Sequence, residues 1–73
     1  MIEVKNEYLN KLSEKQKSTL SGYSNLWDAC VRNRDVETSY VIYCKMLGYL
    51  EALMDLEQIT KDERDKIVRY YAQ

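Results

Sequence analysis

Apolar side chains in the segment 36–56 fall into two separate stripes, which form the strongest hydrophobic pattern in the chain. The first stripe consists of Val36, Tyr40, Tyr43, Leu47, Leu50 and Met54. The second consists of Ile42, Met46, Tyr49, Leu53 and Leu56. Both stripes advance by threes and fours, which is the period of an α-helix and excludes a β-strand. Because the stripes lie about 110° apart around the helix axis, this helix needs neighbours on two sides, from its own chain or from another.

A weaker helical pattern covers the N-terminal part of the chain. Its members lie near the helical spacing and are Tyr8, Leu12, Thr19, Tyr23, Leu26 or Trp27, and Cys30 or Val31. The pattern lapses at Lys15 and Gln16. Ser13 followed by Gln16 has the form of a capping box, in which each side chain accepts a hydrogen bond from the backbone of the other residue. We therefore expect a helix to begin at about Glu14.

Two arrangements of residues 4–31 remain open at this point. One is a short helix over about 4–11, followed by the helix that begins near Glu14. The other is a single kinked helix. Gly22 offers a further point at which this segment could break, with Ser24 as the new N-cap.

Turn signals divide the rest of the chain into helices. Asn33 can adopt the left-handed conformation that ends a helix, and Asp35 can cap the helix that follows. Thr60 and Glu63 form a second capping box, which begins a last helix. The apolar positions of that helix are Ile67, Val68, Tyr70 and Tyr71. It also has two oppositely charged pairs four residues apart, Asp62 with Lys66 and Asp65 with Arg69.

These elements together predict an all-α fold. We expect a small bundle of three to four helices in a single domain spanning residues 1–73, with the long helix at about 36–56 in its centre. The chain has no proline and only two glycines, which agrees with a helical structure. Leu47 and Leu50 lie near the middle of the central helix and should be among the most buried residues.

The chemistry of the side chains argues against a metal site or a catalytic site. The chain has no histidine, and its only cysteines are Cys30 and Cys44, so a structural zinc site is not expected. We interpret both cysteines as reduced, small core residues; a disulfide between them is the alternative. Glu51 and Asp55 have the spacing of a carboxylate metal site, but no Glu-x-x-His companion accompanies them. We expect no enzymatic activity and no cofactor.

Charge and hydropathy bear on the kind of partner and on the location of the protein. Eleven basic and twelve acidic residues give a net charge of −1, which favours neither nucleic acid nor an anionic membrane. In the nucleic-acid alternative, Arg32, Arg34 and Lys45 of a dimer would make the contact. The N-terminus lacks the apolar run of a signal peptide, and no stretch approaches the roughly 20 apolar residues of a membrane span. We therefore expect a cytoplasmic protein.

The aromatic composition indicates an interface. Seven tyrosines and one tryptophan occur without any phenylalanine, and tyrosine suits half-exposed surfaces. Gly48 lies inside the central helix, where glycine costs about 1 kcal/mol relative to alanine, so we expect another helix or a bulky side chain to pass close to it. The predicted interface consists of Trp27, Tyr40, Tyr43, Gly48 and Tyr49. Its occupant is either a second copy, in a two-fold homodimer, or a foreign protein.

The C-terminal half resembles small helical proteins of phages and mobile elements in Gram-positive bacteria. The resemblance is carried by residues 47–53, which read Leu-Gly-Tyr-Leu-Glu-Ala-Leu, and by residues 56–64, which hold the tight turn and the second capping box. Members of this group that are understood act by binding, as small regulators or as inhibitors of host or defence proteins. The resemblance therefore implies a non-enzymatic protein–protein interaction module, and it transfers no site residues.

Overall fold

The structure, a computed structural model, describes residues 7–72, and within this range it is helical with no strand. A 3-10 helix covers Glu7–Lys11, and three α-helices follow it: α1 (Glu14–Arg32), α2 (Val36–Asp55) and α3 (Lys61–Tyr71). The prediction of an all-α fold is confirmed. The expected helix at 36–56 is α2, which ends one residue earlier, with Leu56 as its C-cap. None of the helices in the described range has the length and apolarity that crossing a membrane requires.

The start of α1 is fixed by the predicted capping box. The backbone N–H of Gln16 donates to Ser13 Oγ at 3.0 Å, and the backbone N–H of Ser13 donates to Gln16 Oε1 at 2.8 Å. Of the two arrangements considered, the chain therefore forms separate elements, although the first is a 3-10 helix. Its expected start near Val4 lies outside the described residues. Gly22 does not break α1, which is continuous to Arg32.

Helices α1 and α2 both end with a residue of positive φ directly after the C-cap. In α1 this residue is Arg34, with a φ of 60°, and its N–H donates to the Val31 carbonyl at 3.0 Å. This is a bond of the Schellman motif. The prediction that Asn33 takes the left-handed conformation is wrong, because Asn33 is itself the C-cap, with a φ of −90°. Glu57 occupies the same position after α2, also with a φ of 60°.

Residues from Leu12, just before α1, to Val68 in α3 share one core. Its buried members are Leu12, Leu20, Met46, Leu50, Leu53, Ile59, Ile67 and Val68. Helix α2 packs against α1 and against α3, which supplies the two sets of neighbours that its stripes require. Leu50 is fully buried, as predicted. The same prediction for Leu47 is wrong, because that side chain is only half-buried at the outer edge of the contact with α3.

The second capping box begins α3 as expected, and its Glu63 also forms an ion pair with another element. The backbone N–H of Glu63 donates to Thr60 Oγ1 at 3.2 Å, and the Glu63 carboxylate accepts from the Thr60 N–H at 2.8 Å. The same carboxylate lies 2.8 Å from Lys11 Nζ, which joins α3 to the 3-10 helix. Of the two predicted pairs within α3, Asp62–Lys66 is present at 3.3 Å. The prediction of an Asp65–Arg69 pair is wrong, because the Asp65 carboxylate accepts hydrogen bonds from its neighbour Arg64 instead.

The difference in length between α2 and α3 leaves part of α2 without a neighbouring helix on one side, within the described residues. Helix α3 has 11 residues and α2 has 20, which correspond to about 16 Å and about 30 Å. Arg64, near the start of α3, contacts Glu51, and Val68 and Arg69 share a groove with Leu47 and Tyr43, so α3 runs back along the C-terminal part of α2. Helix α3 ends at Tyr71, whose carbonyl accepts a hydrogen bond from Ser24 Oγ on α1 at 2.5 Å. Beyond that point, Val36 and Tyr40 of α2 are 74% and 67% exposed.

Candidate functional site

An exposed row of apolar side chains follows one face of α2. It consists of Val36, Tyr40, Tyr43 and Leu47, and we call these four residues the α2 strip. Their spacings of four, three and four residues place them on one side of the helix. Val36 and Tyr40 are mostly exposed, whereas Tyr43 and Leu47 are half-buried against the core. The strip is about 16 Å long at the rise of an α-helix.

The local sequence explains why the strip begins at the first residue of the helix. The carboxylate of Asp35 accepts a hydrogen bond from the backbone N–H of Thr38 at 3.2 Å, so Asp35 is the N-cap, as predicted. Val36 is therefore the first helical residue, and the first turn of α2 carries the start of the strip. Glu37 follows in the same turn, where a negative charge interacts favourably with the helix dipole.

Helix α3 forms one wall of a shallow groove at the other end of the strip. The groove is lined by Tyr43, Leu47, Arg64, Asp65, Val68 and Arg69. Arg64 is held by two acids: its guanidinium donates to Asp65 at 2.9 and 3.1 Å and to Glu51 at 3.1 Å. Arg69 is exposed, and none of the ion pairs formed within the described residues includes it. Arg64 and its two acids together carry a charge of −1, which the charge of Arg69 balances, so the unpaired positive charge at this end of the strip is that of Arg69.

The predicted interface residues do not form one surface. Tyr40 and Tyr43 belong to the strip, but Tyr49 lies about 160° around the helix from Leu47 and packs edge-on against Tyr23, with ring centroids 6.2 Å apart. Trp27 is a half-buried residue of α1. The structure therefore separates Tyr49 from Tyr40 and Tyr43, because the two stripes of α2 face different neighbours.

The close approach expected at Gly48 is also absent from the described part of the chain. Gly48 is exposed, and a Cβ added there would meet no atom within 4 Å. No packing contact among these residues therefore requires a glycine at this position.

The three basic residues of the nucleic-acid alternative are also separated. Arg32 forms an ion pair with Asp28 at 3.2 Å, and Arg34 lies in the turn between α1 and α2. Lys45 lies about 14 Å along α2 from the start of that helix. Asp35 lies between Arg34 and α2 in the chain and adds a negative charge. These residues do not produce a continuous basic surface.

The remaining candidate chemistry lies elsewhere or is missing from the described residues. Cys30 and Cys44 are free thiols, so the disulfide alternative is wrong. Cys44 is exposed, which also contradicts its expected place in the core, whereas Cys30 is half-buried. Between residues 7 and 72, no group of three or more histidine, cysteine, aspartate or glutamate side chains is arranged to hold a metal ion.

Between residues 7 and 72, the pKa values of Glu63 and Tyr71 are shifted, and neither residue belongs to the strip. The pKa of Glu63 is lowered, chiefly because its carboxylate accepts a hydrogen bond from Lys11 and also from the backbone N–H of Thr60. The pKa of Tyr71 is raised, chiefly because burial disfavours the phenolate. These shifts accompany structural contacts of α3, so the strip has to be understood from its shape and its apolar character.

Comparisons of the chain with protein-family models, with curated proteins and with solved structures found no match. The resemblance to small helical phage proteins therefore stays a prediction.

Sequence reasoning did not single out Val36, Leu47, Glu37 or Arg69 as surface residues of a site. A usable signal was present in the lengths of the elements. The last helix begins at the Thr60 capping box and ends at Tyr71, so it is about half as long as α2. A helix of that length cannot cover a stripe that starts at Val36.

Proposed function

We propose that this protein is a non-enzymatic protein–protein interaction module that binds its partner through the α2 strip. The observation that carries this proposal is the exposure of Val36 and Tyr40, at 74% and 67%, in a row that continues into Tyr43 and Leu47. Single exposed apolar residues are common on protein surfaces, whereas contiguous ones mark interaction sites.

The composition of the strip and its surroundings supports a protein partner. Tyrosine and arginine are enriched among residues that dominate binding energy, and the strip has two tyrosines with Arg69 beside it. Between residues 38 and 50, Lys45 is the only charged side chain. Binding would therefore rest on removing apolar surface from water, with little electrostatic steering.

The fold supports this role by holding the strip rigid. We propose that the helices act as a small bundle organised around α2, whose buried side chains Met46, Leu50 and Leu53 anchor it in the core. A helix held in this way loses little conformational entropy when a partner binds. From the resemblance of residues 47–64, we further propose that the protein works in the cytoplasm as a phage or mobile-element regulator, or as an inhibitor of a host protein.

Affinity capture with a matched pair of variants tests the proposed function. Tyr40→Asp places a charge on the strip, and Val41→Asp places the same charge on the next residue, which is 49% exposed on another face of α2. We expect a partner to bind the wild type and Val41→Asp and to be lost from Tyr40→Asp. Circular dichroism confirms that both variants are folded. Recovery of the same proteins by all three baits would contradict the proposal.

A salt titration separates this proposal from nucleic-acid binding. A protein that neutralises phosphates binds random duplex DNA with an affinity that falls steeply as salt increases. We expect no such dependence here, because Arg32 is paired with Asp28 and lies far along the chain from Lys45. A steep salt dependence that is lost on replacing Arg34 would favour the alternative instead.

A further inference from the structure

We propose that the α2 strip binds a second copy of this chain, in an antiparallel α2–α2 contact around a two-fold axis. This inference rests on the proposed function, because it names the occupant of the same surface.

The spacing and the class of the side chains in the strip read alike in both directions along the helix, which favours a second copy as the partner. Its spacings are four, three and four residues, and its side chains are aliphatic, tyrosine, tyrosine and aliphatic. A two-fold axis midway between Tyr40 and Tyr43 therefore places Val36 against Leu47 of the second copy. The same axis places Tyr40 against Tyr43 of the second copy, twice. A two-fold interface needs such self-complementarity, because the same surface is used by both partners.

The aromatic pairs give this contact a favourable geometry. Tyrosine rings attract each other edge to face at centroid separations of about 4.5–7 Å. The fold already uses this arrangement between Tyr23 and Tyr49 at 6.2 Å and between Tyr70 and Tyr71 at 4.9 Å. Tyr40 is 67% exposed, so its ring is available for a partner. Its hydroxyl can remain in water at the edge of such a pair while the ring is buried.

Charges at the two ends of the strip select the antiparallel orientation. Glu37 is next to Val36 at one end, and Arg69 lines the groove with Tyr43 and Leu47 towards the other. Both are exposed, and the ion pairs within residues 7–72 include neither. An antiparallel contact brings Glu37 of each copy to Arg69 of the other, whereas a parallel contact brings like charges together. Exposed pairs add little affinity, but they set orientation.

The available area indicates a weak dimer. Two strongly exposed side chains, two half-buried ones and the flanking charged residues supply on the order of 500 Å² per copy, or about 1,000 Å² in total, at the lower end of specific interfaces. Interfaces of this size are typical of weak, transient contacts, so we expect a dissociation constant on the order of 10–100 µM. The net charge of −1 produces little repulsion between copies.

Sedimentation equilibrium over about 1 µM to about 1 mM, a range that brackets the expected dissociation constant, tests the dimer. The mass should rise from 8.7 kDa towards twice that value. Tyr40→Asp should remain monomeric, and Val41→Asp should associate like the wild type. A dimer that Val41→Asp disrupts and Tyr40→Asp does not would overturn the assignment of the strip.

Charge reversal tests the orientation. Glu37→Arg and Arg69→Glu should each weaken association by at least about threefold, since each variant places like charges at both ends of the contact. An equimolar mixture of the two variants should associate more tightly than either alone, because every pair in the mixed dimer is then opposite in charge. Circular dichroism verifies that both remain folded. A mixture that associates no better than its components would overturn the antiparallel geometry.

The inference and the proposed function fail in distinguishable ways. The protein could be monomeric throughout the range and still capture a cellular protein, with capture abolished by Tyr40→Asp and preserved by Val41→Asp. That result would overturn the second copy as the partner and would leave the proposed function standing. A monomer with no capture that depends on the strip overturns both.

Discussion

Glu63 shows how one side chain can join three parts of the chain. Its carboxylate completes the cap of α3 through the Thr60 N–H and binds Lys11 of the 3-10 helix at 2.8 Å. The capping role follows from a local pattern in the sequence, four residues long. The partner Lys11 lies 52 residues away, and no local pattern could have identified it. The hydrogen bond from Lys11 also makes the largest contribution to the lowered pKa of Glu63.

This pKa shift predicts a pH dependence of stability. Because the folded-state pKa of Glu63 lies below the unfolded value of 4.5, the stabilisation is present above that value and is lost as the pH falls through the folded-state pKa. We expect Lys11→Met to make the loss of stability between neutral and acidic pH smaller. Part of the pH dependence should remain, because the hydrogen bond from the Thr60 N–H to the Glu63 carboxylate is still present. Urea unfolding across this pH range measures the effect. Identical pH profiles for the variant and the wild type would contradict the assignment to Lys11.

The ends of the helices show what the sequence could and could not predict about each element. The N-caps Ser13, Asp35 and Thr60 were all predicted correctly, because each is a hydrogen bond between residues three apart in the chain. The prediction that Asn33 takes the left-handed conformation after α1 is wrong. Helix α1 continues to Arg32, and the left-handed conformation is adopted by Arg34. That outcome depends on where the helix stops, which packing determines.

Glycine at the left-handed position after α2 should stabilise the protein. Glu57 has a φ of 60°, a conformation that costs about 1–2 kcal/mol for a residue with a Cβ. We expect Glu57→Gly to raise the free energy of unfolding by about 0.5–1 kcal/mol, after allowance for the greater freedom of glycine in the unfolded chain. Ala52→Gly, at an exposed position inside α2, is the control and should lower it by about 1 kcal/mol. Urea denaturation measures both, and destabilisation by Glu57→Gly would refute the argument.

The arrangement of the whole molecule follows from how α1 and α3 share the surface of α2. The sequence predicted that α2 needs neighbours on two sides, and the structure has them. As that prediction requires, buried residues come from both stripes, with Leu50 from one and Met46 and Leu53 from the other. The exposed part of the first stripe depends on where α3 ends in space. Periodicity alone does not contain that information.

Two leucines three residues apart test this division between core and surface. Leu50 is fully buried, so Leu50→Ala should lower the free energy of unfolding by about 2–5 kcal/mol. Leu47 is half-buried at the end of the strip, and Leu47→Ala should cost about 1 kcal/mol, since less apolar area returns to water. Thermal or urea unfolding of the two variants gives the comparison. Equal losses would place Leu47 in the core and would contradict its role in the strip.

Amide NMR spectra recorded at low and high protein concentration test the central claim most directly, namely that the α2 strip is the binding surface and that it binds a second copy. The account predicts concentration-dependent shifts in residues 36–47 and around Arg69. It predicts no change around Leu26, Val31 and Leu56, which are also exposed and apolar but lie outside the strip. Shifts centred on those three residues, or spectra that do not change with concentration, would contradict it.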